Sequence, residues 1–183
     1  MPSHVALLRG INVGGRNKVA MPALRAVVES LGHTDVATYI QSGNVVFTAT
    51  DGEPGALAEE LERAIESELG VPARVVVLSR DELAEVARAN PYPDELNPKA
   101  LHAVFLVDEP GDALRELVAA ECARAGERGS RDEAKAVGRT LYVHTPDGYG
   151  RSDMAARLLR AKAATGTGRN WATVTKLLAM LEA

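Results

Sequence analysis

Val36-Ala-Thr-Tyr-Ile-Gln-Ser-Gly-Asn-Val-Val-Phe-Thr-Ala49 decides how the first half of this 183-residue chain folds. Val36 to Gln41 and Val45 to Ala49 are rich in β-branched and aromatic residues, and Ser42-Gly43-Asn44 between them is turn chemistry, so the stretch reads as a β-hairpin. Towards the N-terminus, Pro22 opens a helix that carries Leu24, Val27, Val28 and Leu31 at helical spacing and stops at Gly32. His4 to Arg9, before it, is an apolar run ending at glycine and reads as a buried strand. Towards the C-terminus, a helix from about Glu53 to Leu69 places Leu57, Leu61, Ile65 and Leu69 on one stripe and ends at Gly70. Arg74 to Leu78 is the fourth strand. Two strands in direct succession exclude a strictly alternating, parallel arrangement. The order β-α-β-β-α-β points instead to a ferredoxin-like unit with one antiparallel sheet.

The second half repeats the pattern. Ser79 with Glu82 three positions later is a capping box that starts a short helix to Ala89, and Asn90-Pro-Tyr-Pro93 with Asn97-Pro98 then breaks regular structure. Leu101 to Val107 is a strand and Asp112 to Glu121 a helix. Ala134 to Val137 and Thr140 to His144 form a strand pair turning at Gly138-Arg139, and Ser152 caps a helix to about Ala163. His4 and Ile40 lie 36 residues apart and His102 and Leu141 lie 39 apart, the spacing of a diverged duplication. The chain closes with a helix whose apolar stripe is Trp171, Val174, Leu177, Leu178 and Leu181. The expected fold is therefore α+β, with duplicated ferredoxin-like units and a C-terminal helix. Residues 1–79 form the first unit, 80–100 a helix and proline-rich linker, and 101–183 a second, incomplete unit.

Composition removes several function classes. The chain is 46% hydrophobic and 25% charged, ordinary for a globular protein. A single cysteine, Cys122, closes no intramolecular disulfide, and no charged segment leads into an apolar run with a cleavage site, so a cytoplasmic protein is expected. Apolar runs such as Ala103 to Val107 fall far short of the roughly 20 residues a membrane-crossing helix needs. With no cysteine pair, no HExxH and four scattered histidines, neither a metal site nor a cofactor is expected.

Charge is unevenly distributed about a net of -4. Residues 1–25 carry a local +4 from Arg9, Arg16, Lys18 and Arg25, residues 151–183 another +4, and the middle -12. Basic ends on an acidic protein suit an anion, should they meet in the fold. Arg25, Arg157, Arg160 and Lys176 read as solvated helix faces. The remaining bases sit in or beside glycine-rich loops. Arg9-Gly-Ile-Asn-Val-Gly-Gly-Arg-Asn-Lys18 holds three glycines and three bases in ten residues, either a cradle of backbone N–H groups for a phosphate or carboxylate or a plain β-α connection. The candidate ligand residues here are Arg9, Asn12, Gly14, Gly15 and Lys18. Gln41, Ser42 and Asn44 in the hairpin turn are candidate hydrogen-bond partners. Asp147-Gly-Tyr-Gly-Arg-Ser152 leads into a helix N-terminus and adds Arg151 and Ser152. Gly166-Thr-Gly-Arg-Asn-Trp171, read as a loop opening the last helix, adds Arg169, which has no evident structural task, and Asn170, which also reads as an N-cap.

Four ordered motifs carry a family resemblance: Leu8-Arg-Gly-Ile-Asn-Val-Gly-Gly15 with Lys18, Tyr39-Ile-Gln-Ser-Gly-Asn-Val45, Gly148-Tyr-Gly-Arg-Ser152 and Thr167-Gly-Arg-Asn-Trp-Ala-Thr-Val174. Together they resemble the bacterial family catalogued as domain of unknown function 1697. The resemblance implies a duplicated ferredoxin-like α+β architecture and supplies no established activity.

Four kinds of function fit these residues. The favoured one is binding of a phosphorylated small molecule or nucleotide through the basic glycine-rich loops. Single-stranded nucleic-acid binding is the second, although seven aromatics and a pI near 5.6 argue against a broad backbone-binding face. The third is a phosphoryl- or nucleotidyl-transfer enzyme, which lacks a nucleophile with an assigned base: the histidines have structural readings and Cys122 reads as a small core residue. The fourth is a non-catalytic oligomerisation module that pairs sheet edges between chains.

Overall fold

The computed structural model describes residues 1–183. Its first six elements are β1 (His4–Arg9), α1 (Met21–Ser30), β2 (Thr34–Tyr39), β3 (Asn44–Thr48), α2 (Pro54–Leu69) and β4 (Arg74–Ser79). The sheet order is β2-β3-β1-β4 with every neighbour antiparallel. Strand β3 is inserted between β1 and β2, the split βαβ of a ferredoxin-like unit. Alternate side chains of the sheet, Ala6 and Leu8 of β1, Val45 and Phe47 of β3 and Val75 and Val77 of β4, pack under the helical stripes of Leu24, Val27 and Val28 and of Leu57, Leu61 and Ile65. Gly70 closes α2 in the left-handed conformation at φ 66°, its N–H donating to the Glu66 carbonyl.

Strand β4 runs directly into α3 (Arg80–Arg88) through the capping box expected from sequence. The Ser79 N–H donates to Glu82 Oε2 at 2.8 Å and the Glu82 N–H to Ser79 Oγ at 3.2 Å. The second set of elements is β5 (Leu101–Leu106), α4 (Asp112–Glu127), β6 (Glu133–Val137), β7 (Thr140–His144), α5 (Asp153–Arg160) and β8 (Gly166–Asn170), followed by α6 (Trp171–Leu181). Its antiparallel sheet has the order β6-β7-β5-β8. Position for position this is the order of the first sheet, so the fold is a duplicated ferredoxin-like α+β architecture with a C-terminal helix.

The second unit is complete, which corrects the expectation of a missing fourth strand. Gly166-Thr-Gly-Arg-Asn170 has the glycines of a loop, yet every one of its residues pairs with β5, from Leu106↔Gly166 to His102↔Asn170. Gly166 is required there, because a Cβ would run into the Phe105 carbonyl. Helix α4 also extends past Glu121, burying Ala125.

The chain divides into two compact units, Met1–Glu85 with Lys176–Ala183 and Val86–Thr175. The division falls within α3 and α6 rather than at residue 79, where β4 and α3 are continuous. No helix is long and apolar enough to cross a membrane.

Candidate functional site

The β1–α1 connection of the first unit is a small hairpin standing on the strand end. Val13 and Arg16 form a bridge closed by the Arg16 N–H on the Val13 carbonyl at 3.1 Å, with Gly14 (φ 59°) and Gly15 (φ 76°) as the two left-handed turn residues. Below them the Asn12 N–H donates to the Asn17 carbonyl at 3.0 Å, and the Asn17 amide to the Gly10 carbonyl at 2.9 Å. The Asn12 side chain accepts from the Val19 N–H and donates to the carbonyls of Val19 and Gln41, each at 2.9 Å. Asn12 is thus the staple that holds this loop to the next one. Arg9, Arg16 and Lys18 point the other way: all three are exposed and none forms an ion pair.

The neighbouring turn, residues 40–43, is held as tightly. The Leu8 N–H donates to the Gly43 carbonyl at 2.8 Å, and a Cβ on Gly43 would lie 2.8 Å from Leu8 Cβ and Ile11 Cδ1. Asn44 is fully buried and its amide donates to the Tyr39 carbonyl and Ser42 Oγ. Gln41 and Ser42 are exposed. Among the candidates of this unit, then, Arg9, Lys18, Gln41 and Ser42 face outward, Gly14 and Gly15 shape the hairpin tip, and the amides of Asn12 and Asn44 hold the backbone. Two aliphatic side chains are also left in solvent on these loops, Val13 at 67% exposure and Ile40 at 50%.

In the second unit, Gly148 (φ 112°) leads into a single 3₁₀ turn, Tyr149–Arg151, and Ser152 Oγ accepts from the Ala155 N–H at 3.0 Å as the N-cap of α5. Arg151 is exposed and forms no ion pair. Tyr149 stacks on His102 with ring centroids 3.7 Å apart. Burial draws the His102 imidazole down to about 4 and pushes the Tyr149 hydroxyl up, so both rings are neutral near pH 7.

Arg169 requires a correction. It is a residue of β8 opposite Ala103, not of a loop, and it is buried. Its guanidinium donates to Thr167 Oγ1 and the Gly168 carbonyl, both at 2.8 Å, and desolvation lowers it to about 10, still charged near neutrality. It has a structural task after all. Asn170 Oδ1 accepts from the Thr173 N–H at 2.9 Å and caps α6.

Sequence reading missed one cluster. Arg124 of α4 and Arg128 at its C-terminal cap, Arg157 of α5 and Arg151 of the preceding turn line a cleft of about 150 Å³ together with Glu121, Asp132 and Asp153. Glu121, its side chain only 6% exposed, lies between Arg124 and Arg157 with one oxygen 3.3 Å from each. The i,i+3 spacing of Glu121 and Arg124 was visible, but a helix ending at Glu121 leaves Arg124 and Arg128 off it, and Arg157 reads as a solvated face. Elsewhere, Cys122 Sγ contacts the Ala134 backbone and burial raises its thiol, which fits a core residue rather than a reactive thiolate.

The chain belongs to the family of proteins of unknown function DUF1697, whose model matches residues 1–142. That span includes the loops of Arg9 to Lys18 and Gln41 to Asn44 and ends before Arg151 and Arg169. Among solved structures, the conserved bacterial protein SP0830 from Streptococcus pneumoniae is similar in fold, with a TM-score of 0.71 and 24% identity over 98% of each chain. No curated protein sequence matches.

Proposed function

We propose that this protein binds a phosphorylated small molecule or nucleotide through the basic loop between β1 and α1. One observation carries the reading: Arg9 at the end of β1 and Arg16 and Lys18 on the loop that follows stand exposed and unpaired, and the backbone of that loop is locked by Asn12 and Asn17. In a protein of net charge -4, three free cations on one fixed loop and the strand end beside it are donors without a protein acceptor. Fixing the loop beforehand lowers the entropy lost on binding. Val13 and Ile40 favour the nucleotide within this class, since they offer apolar surface to a base where inorganic phosphate would use none. Gln41, its backbone carbonyl tied to the same loop through Asn12, and Ser42 beside it are the hydrogen-bonding partners.

The test is a thermal-shift series with ATP, AMP and a sugar phosphate at constant ionic strength, repeated on Arg16→Ala/Lys18→Ala. A nucleotide should raise the Tm of the native protein and leave the variant unmoved, while the two unliganded Tm values agree because neither side chain holds the fold. A response to single-stranded oligonucleotides alone would favour nucleic-acid binding, and no response to any phosphate compound would remove the reading.

A further inference from the structure

We infer that the second unit holds a separate site for a small tetrahedral oxyanion, a phosphate or phosphomonoester group, in the arginine-lined cleft where α4 packs on α5. The inference uses none of Arg9, Arg16 and Lys18 and is independent of the reading above. Its centre is Glu121. A carboxylate this buried must be paired, and Glu121 is paired twice, with one oxygen towards Arg124 and the other towards Arg157. Two guanidiniums on one carboxylate leave a positive charge uncompensated. Each also has five N–H donors, and Glu121 takes only part of that set. Arg128 is balanced by Asp153 at 3.3 Å. Arg151 lines the same cleft with no carboxylate within ion-pair distance, although Asp132 is also in the wall.

The cleft is therefore a void bordered by guanidinium groups whose donors exceed the protein's acceptors. At about 150 Å³ it has far more room than a single water, which needs roughly 10–15 Å³. Forked guanidinium donors match the oxygens of a tetrahedral anion. Arg124 and Arg157 border this space on either side of Glu121, which competes with an anion for their donors, and Arg151 closes on the anion from the turn before α5.

The experiment is a titration with inorganic phosphate at constant ionic strength, in the Arg9→Gln/Arg16→Gln/Lys18→Gln background. It is read by calorimetry and by the arginine Nε–Hε resonances. Phosphate should bind and shift Arg124, Arg151 and Arg157, and Arg151→Gln should weaken it about tenfold, as loss of a charge-assisted contact does. Glu121→Gln should tighten phosphate severalfold, because it frees both guanidiniums from their acid. Acetate should bind more weakly than phosphate. Unmoved arginine resonances, an affinity unchanged by Arg151→Gln, or weaker binding in Glu121→Gln would each overturn the site. Equal binding of acetate would overturn the tetrahedral choice. Arg151→Gln alters an exposed, unpaired side chain, so it remains decisive even if Glu121→Gln fails to fold.

Discussion

The two units share one order of elements and differ most where the first strand meets the first helix. In the first unit that connection is residues 10–20, with Arg16 and Lys18 and no acid. In the second it is Val107-Asp-Glu-Pro-Gly111, with two acids and no base. The hairpin turns differ in length: residues 40–43 against Gly138-Arg139. The second unit completes its βαββαβ order with the shorter connections, so the fold does not demand the long ones. Those of the first unit also carry left-handed backbone at Asn12, Asn17 and Ile40, each with a conformational cost. Loops that are longer than folding requires, strained, and rich in unpaired cations are where function is to be sought.

The strongest way to sharpen this comparison is to separate glycines that the fold needs from those that only the loop needs. Gly166→Ala drives a Cβ into the Phe105 backbone, which cannot move without breaking β8 from β5, and should cost about 3 kcal/mol or more. Gly43→Ala combines φ 82° with contacts at 2.8 Å to Leu8 and Ile11, whose side chains can give slightly, and should cost about 2–3 kcal/mol. Gly14→Ala meets nothing within 4 Å and has only its φ of 59° to overcome, about 1 kcal/mol. Urea unfolding of the three variants checks the order. A Gly14 variant as unstable as the Gly166 one would make the basic hairpin part of the folding core and end the argument for its spare role.

A second contrast is in acid. Each unit begins its first strand near a histidine whose imidazole is held low mainly by burial, His4 in β1 and His102 in β5. His102, drawn to about 4 against an ordinary 6.5, keeps its proton off in the folded state, so the unfolded chain binds the proton more readily. Stability is then full above about 6.5 and is lost as pH falls from there towards 4. Because the ring is only part-buried, the loss is about 1–2 kcal/mol after solvent screening. Hydrogen exchange at pH 7 and pH 5 should show β5 and β7 losing protection before β1 and β3. In His102→Phe, which keeps a ring against Tyr149, that difference should vanish.

What could be read from sequence, and what could not, follows the range of the forces involved. The capping box of Ser79 and Glu82, the N-cap at Ser152 and the left-handed stop at Gly70 depend on residues within a few positions of one another, and each is in place. Strand β8 was hidden because Gly166 and Gly168 look like a loop, and only pairing with a strand some sixty residues earlier makes them one. Arg169 was misread along with it: as a loop residue it had no task, and as a strand residue it is buried and bonded. The Glu121 cluster needs α4 and α5 side by side, which no local pattern reveals. Asn12 reads from sequence as a candidate ligand residue, but its amide turns inward to three backbone groups, a choice set by the fold of the loop rather than by residue type.

The smallest effect tests the link between strain and function most directly. Ile40 is a β-branched residue at φ 49°, where a branched Cβ crowds the following carbonyl, and its side chain is half in solvent, so little packing offsets the strain. Ile40→Gly removes the crowding but lets the unfolded chain sample more conformations, two terms of opposite sign and about 1 kcal/mol each. Ile40→Asn keeps a side chain, tolerates the left-handed region and avoids most of that entropy, so it should raise stability by about 0.5–1 kcal/mol. If Ile40 serves only the turn, nothing is lost in exchange. If it offers apolar surface to the base of a bound nucleotide, Ile40→Asn should bind AMP several-fold more weakly while its affinity for inorganic phosphate stays as it was. A variant that is more stable and binds both equally well would show that the isoleucine is tolerated there rather than used.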